Sequence, residues 1–139
     1  MIFYTDKKDD PFSVGSFNIT KSPNGPFIAD QVRMYKDSGY LFVKGNKILD
    51  SGECTGVSIL FRDMEGTFTG NFGDPVETPW GYHNIGNWSH SARRGKTTHT
   101  YLDKPKHVTG KFSFIISISG TEYECEGDFN VQGLINPSP

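Results

Sequence analysis

Alternation of apolar and polar side chains dominates the carboxyl-terminal third of the chain. From Gly110, the residues Phe112, Phe114, Ile116 and Ile118 alternate with Lys111, Ser113, Ile115 and Ser117. Tyr123, Cys125, Phe129 and Val131 then alternate with Glu122, Glu124, Glu126, Asp128 and Asn130. A period of two is the mark of a strand with one buried face. A two-residue turn at Ser119-Gly120 sets Phe114 opposite Cys125, Ile116 opposite Tyr123, Phe112 opposite Gly127 and Lys111 opposite Asp128. Turn chemistry, apolar face and charge pairing then agree, whereas a slip of one residue would turn the carboxylates inward.

The same reasoning predicts two further hairpins. Gly45-Asn46, between Tyr40–Lys44 and Lys47–Asp50, suits a tight turn with Gly first, and this brings Phe42 to Leu49. A loop at Asp63-Met64-Glu65-Gly66 brings Val57, Ile59 and Phe61 opposite Phe72, Gly70 and Phe68. Phe27 to Ser38 fits both helical and alternating templates, and its neighbours favour strand. Gly-x-Phe recurs at Gly15, Gly66, Gly110 and Gly127 and reads as punctuation at strand starts. Residues 74–98 read differently, as a loop-rich excursion. They hold both tryptophans and two of the four histidines, with few aliphatic residues.

Gly or Pro interrupts most windows before two helical turns accumulate, so the expected fold is all-β. One domain over 1–139 is expected, an antiparallel β-sandwich of jelly-roll character with about eight to ten strands, and a flattened up-and-down β-barrel is the alternative. The expected core is Phe42, Leu49, Val57, Ile59, Phe61, Phe68, Phe72, Phe112, Phe114, Ile116, Ile118, Tyr123, Cys125, Phe129 and Val131. Eleven Phe, six Tyr and sixteen Gly in 139 residues suit strands, turns and a core of large rings. Fourteen Lys and Arg against sixteen Asp and Glu give a net charge of −2, which supplies no electrostatic reason to expect nucleic acid. No apolar run reaches the length of a membrane span, and the first residues lack signal-peptide order, so a soluble chain of unassigned compartment is expected.

Candidate chemistry is sparse. Cys54 and Cys125 are too far apart in sequence for a CxxC motif; they are read as buried free thiols, with a disulfide as the other fate. His83, His90, His99 and His107 lie seven, nine and eight residues apart, which is no metal-ligand spacing, so neither metal nor cofactor is expected. Arg93, Arg94, Lys96, Lys104, Lys106 and Lys111 form a basic run facing the acidic row Glu122, Glu124, Glu126 and Asp128, which suggests cross-strand pairing. Asp74, Glu77 and Glu65 are loop carboxylates with no fixed separation, and no nucleophile, phosphate or dinucleotide motif is present, so an enzyme is the minority reading.

The leading expectation is a non-enzymatic, lectin-like binding module for a glycan or a protein surface. Trp80, Tyr82 and Trp88 would stack, and Asn84, Asn87 and Asp74 would hydrogen-bond. A pyranose offers an apolar C–H face and a rim of hydroxyls, which these residue types complement. The bland alternative is that the rings plug one end of the core. Competing classes are a small barrel carrying an apolar ligand and a structural subunit that self-assembles into homo-oligomers.

Overall fold

The computed structural model describes residues 13–74, 78–104 and 106–133. It contains two antiparallel sheets packed face to face as a sandwich, with no closed barrel. Eleven strands occur among the described residues: β1 (Val14–Lys21), β2 (Phe27–Ile28), β3 (Gln31–Asp37), β4 (Tyr40–Ile48), β5 (Cys54–Arg62), β6 (Gly66–Phe72), β7 (Trp80–Ile85), β8 (Trp88–Ser91), β9 (Arg94–Asp103), β10 (Lys106–Ile118) and β11 (Thr121–Gln132). One sheet has the order β2-β1-β11-β10-β9-β6 and the other β3-β4-β5-β7-β8. The strand count exceeds the expected eight to ten because residues 74–98 are mostly strand rather than loop.

The carboxyl-terminal hairpin has the expected register, with Phe114 opposite Cys125, Ile116 opposite Tyr123, Phe112 opposite Gly127 and Lys111 opposite Asp128. Ser119 and Gly120 both have positive φ (52° and 84°), the geometry of a mirror-image two-residue turn. The other two hairpin expectations fail. Gly45 and Asn46 lie inside β4, where Phe42 pairs with Tyr35 and Leu60 and does not meet Leu49. The turns that flank β4 are at Ser38-Gly39 and at residues 49–53, around Gly52. After Asp63–Gly66 the chain does not fold back on β5 but crosses to the other sheet, where β6 pairs with β9.

The core lies between the sheets, and rings dominate it. Phe17 stacks on Phe129 (5.4 Å between centroids), Phe112 lies 5.7 Å from both Phe17 and Phe114, and Phe61 crosses from the five-stranded sheet to within 6.1 Å of Phe129. Glycines make room for these rings. Gly110 stands opposite Phe129, Gly127 opposite Phe112, and Gly95 opposite Phe114. A Cβ on Gly110 would lie 2.6 Å from the Phe129 ring, and one on Gly127 would lie 2.8 Å from the Phe112 ring. The Gly-x-Phe tripeptides at 110 and 127 therefore sit mid-strand and serve packing, while Gly15 and Gly66 fall at or beside strand starts.

Ten of the expected core residues are buried. Phe42, Leu49 and Ile118 are only half-buried, and Phe68 and Tyr123 are exposed. Each of the five lies at a sheet margin or on an outer face. Phe17, Ile19, Val32, Met34, Leu41, Val43, Tyr101 and Val108 complete the core. Both cysteines are free thiols on different sheets. Cys125 is buried, which pushes its thiol up to about 12, whereas Cys54 is only half-buried at the start of β5.

Candidate functional site

Strand pairing fixes which residues share the outer face of the five-stranded sheet. Val32 and Met34, Leu41 and Val43, Val57 and Ile59, and His83 point into the sandwich, so their alternate neighbours point out. Reading the register across β3, β4, β5 and β7 gives one outward row of Tyr35, Phe42, Leu60 and Trp80. The next row is Arg33, Lys44, Ser58, Tyr82 and, on β8, Ser91. A third holds Gln31, Asn46, Gly56, Asn84 and Ser89. The sheet thus presents aromatic rings beside hydroxyls and amides.

Within this face the Tyr40 and Trp80 rings lie 6.4 Å apart and within 21° of parallel. Both are half-buried and together they cover Leu60, which is 3% exposed. The Trp80 indole N–H donates to the Asp74 backbone carbonyl at 3.2 Å, which fixes the plane of the ring. Burial raises the Tyr82 hydroxyl above its ordinary range, so it remains a neutral donor and acceptor. On the β3 side the face is closed, with Arg33 and Tyr35 buried and Tyr35 stacked on Phe42 at 4.8 Å. The open part runs over β4, β5, β7 and β8.

The six expected site residues therefore divide. Trp80, Tyr82 and Asn84 share this face, and Asp74 joins them through its carbonyl. Asn87 is exposed in the β7–β8 turn. Trp88 pairs with Ile85, whose parity is that of His83, so it projects to the other side of the sheet and is 76% exposed. The two indoles thus lie on opposite sides of one hairpin. Tyr40, Phe42 and Leu60 are the members that the sequence reading placed elsewhere or omitted. Their signal was present in Tyr40–Val43, where both alternating sets are apolar or aromatic, so that one set faces the core and the other leaves rings on the outer face.

Several of the charged residues are engaged with one another. Arg94 grips Glu122 through two bonds of 2.7 and 2.9 Å, and Lys21 reaches Glu124 at 3.0 Å. These pairs are exposed, and Arg94→Ala is expected to leave the thermal midpoint essentially unchanged in a calorimetric scan at physiological salt. At one end of the sandwich Lys36 bridges the sheets, bonding Asp63 at 3.1 Å and Asp103 at 3.0 Å over the ring of Tyr101. Burial works against the charge on Lys36, but its bonds to Tyr101, Asp103 and Asp63 outweigh it and hold the ammonium above its ordinary range. Lys36, with Lys106 and Tyr101, holds the Asp103 carboxyl down at about 2. Glu65 accepts the Asp103 N–H, and Glu77 lies outside the described residues. This arrangement ties the sheets together and keeps the Asp103 carboxyl ionised near neutral pH.

Among the described residues no three of His, Cys, Asp and Glu gather into a group able to hold a metal ion. The histidines differ in environment. His107 bonds to Asn130 on the surface, while His83 and His99 are buried. Burial drives both down to about 4, with the neighbouring charge of His90 adding to the effect on His83. No family model, curated protein or solved structure was found to match the chain. The site is therefore read from its own chemistry.

Proposed function

We propose that the protein is a non-enzymatic binding module that recognises a glycan on the outer face of the five-stranded sheet. The observation carrying this reading is the near-parallel Tyr40–Trp80 pair, 6.4 Å apart on a sheet face whose following rows carry Tyr82 and then Asn84. Near-parallel rings on a sheet face offer apolar surface to the C–H face of a sugar, and the hydroxyl and amide rows of the same face meet its hydroxyls. A rigid sheet holds the rings in position before binding, which lowers the ordering cost.

A glycan array probed with wild type, Trp80→Ala, Tyr40→Ala and Trp88→Ala tests this directly. Loss of a ring contact worth about 1.4 kcal/mol weakens binding about tenfold. Trp80→Ala and Tyr40→Ala are expected to lose signal to that degree or more while staying folded by circular dichroism. Trp88→Ala, on the other side of the hairpin, is expected to retain it. Signal that survives Trp80→Ala, or that disappears only with Trp88→Ala, would overturn the assignment to this face. An array on which folded wild type binds nothing would remove the glycan class and leave a protein surface as the ligand of the same rings.

A further inference from the structure

Among the described residues, β2 and β6 are the edges of one sheet and β3 and β8 those of the other. An edge strand offers a row of backbone N–H and C=O groups to any other strand, and proteins blunt such rows with short strands, lysine, proline or bulges. Three of the four edges are blunted or capped. β2 has two residues and β8 four, while on β3 the Ser13 N–H donates to the Val32 carbonyl at 2.9 Å and the Met34 N–H donates to Ser13 Oγ at 2.8 Å. β6 differs. It runs for seven residues, pairs with β9 without a bulge, and contains neither a charged side chain nor a proline. No described residue makes a backbone bond to its outer side.

The sequence of β6 is complementary to itself. Laid antiparallel on a copy so that Gly66–Phe72 overlap in full, the strand turns about Thr69, with Phe68 opposite Gly70, Phe72 opposite Gly66 and Thr67 opposite Asn71. The sheet already pairs rings with glycines in this way: Phe112 stands opposite Gly127, Phe129 opposite Gly110, and both Phe114 and Phe72 opposite Gly95. On the outer face Thr67 bonds Thr100 at 2.8 Å and Thr69 bonds Thr98 at 3.0 Å, so Thr69 meeting its own copy adds the next rung of a threonine ladder. On the inner face Pro79 stands where a side chain on Gly70 would stand, its Cδ 2.5 Å from that Cβ position. Phe68 and Met64, 37% and 51% exposed, border the same margin. Around the axis Phe68 and Pro79 of the two copies then alternate, and each covers apolar surface that the single chain leaves to water.

We propose that β6 is a self-association edge whose partner is the β6 of a second copy of this chain, paired antiparallel about a two-fold axis at Thr69. The pairing joins two six-stranded sheets into one. It consumes both β6 edges and leaves only the two-residue β2 at either end of the joined sheet, so it closes as a dimer and does not grow into a filament. Seven residues a side is a small contact against the roughly 20–30 of a standard interface, so dissociation in the range of about 10–100 μM is expected. Tyr40 and Trp80 belong to the other sheet, so this edge and the glycan-binding face stand or fall separately.

Sedimentation velocity of the full chain from about 5 μM to about 500 μM tests this, and the weight-average mass is expected to climb from that of one chain towards that of two. Thr69 is exposed, so a charge there leaves the fold intact by circular dichroism while setting like charges face to face across the axis. Thr69→Lys and Thr69→Asp are each expected to weaken association at least tenfold. An equimolar mixture of the two sets Lys opposite Asp and is expected to dimerise at least as well as wild type, which only a second copy in this register produces. Trp80→Ala is expected to dimerise unchanged. Amide exchange of the wild type gives a readout that needs no variant: protection that grows with protein concentration should fall on β6 and spare β3 and β8. A wild type that stays monomeric at about 500 μM would overturn the proposal and leave the edge to an extended segment of another protein. Dimers that survive Thr69→Lys, a mixture that fails to associate, mass that grows past two chains, or concentration-dependent protection on β3 or β8 in place of β6 would each overturn it as well.

Discussion

Denaturant unfolding across the range from about pH 8 to pH 3 is expected to show a steep loss of stability between roughly pH 6.5 and pH 4. The cause is His83 and His99, whose imidazoles titrate at about 4 in the folded protein against 6.5 when unperturbed. Between those values the unfolded chain binds protons that the folded chain refuses, so stability rises with pH across the window and falls with acid. Above about 6.5 both states are neutral at these positions and the contribution is level. Below about 4 both are charged and the loss stops growing. A drop from 6.5 to about 4 corresponds to about 3 kcal/mol for His83, which is fully buried. His99, 7% exposed and also held at about 4, adds to the loss. Typical domains have about 5–15 kcal/mol in total, so acid unfolding near pH 4 is within reach. Asp103, held at about 2, adds a separate loss only at lower pH, as acid protonates its carboxyl and releases Lys36. His83→Phe and His99→Phe should each flatten part of the upper limb and leave the lower one. A flat profile between about pH 6.5 and 4, or a limb that persists unchanged in both variants, would show that neither imidazole resists protonation.

The sandwich itself was legible because the last hairpin obeys every local rule at once: a period of two, a Ser-Gly turn and opposed charges, all on a consistent face. The middle of the chain obeys fewer. Its turn signal was in fact the same dipeptide, at Ser38-Gly39 and Ser51-Gly52, with Gly39 and Gly52 at positive φ. Gly45-Asn46 looked like a turn because Gly has two uses that composition cannot separate, reversing the chain and yielding space to a ring. The site was half legible for a related reason. Tryptophan content drew attention to residues 74–98, but only parity within the β7–β8 hairpin shows that Trp80 and Trp88 leave it on opposite sides. Tyr40 and Phe42 come from another part of the chain, and only the pairing of β4 with β5 and of β5 with β7 brings them to Trp80. His83 and His99 sit on inward positions of strands, which the spacing of the histidines could not show.

Gly45→Ala is expected to destabilise the fold by about 3 kcal/mol or more, the upper range for overpacking a core. Gly45 is not among the glycines with positive φ, so an alanine there suffers no backbone penalty and the cost is steric. The added Cβ would lie 2.4 Å from Cγ of Phe17, on the opposite sheet. The ring has nowhere to retreat, since Phe129 and Phe112 hold it at 5.4 and 5.7 Å. Phe17→Leu, itself costly through the volume it removes, frees the space in question, so Gly45→Ala should cost clearly less in that background. Denaturant unfolding of the two single variants and the double variant reads this as a coupling free energy of about 1 kcal/mol or more. A single-variant cost under about 0.5 kcal/mol would mean the sheets do not approach here as described. An undiminished cost in the Phe17→Leu background would mean that Gly45 is constrained by its own strand and not by the opposite sheet. The two sheets are therefore joined at this point by one ring seated on one glycine, and the spacing of the whole sandwich depends on that residue having no side chain.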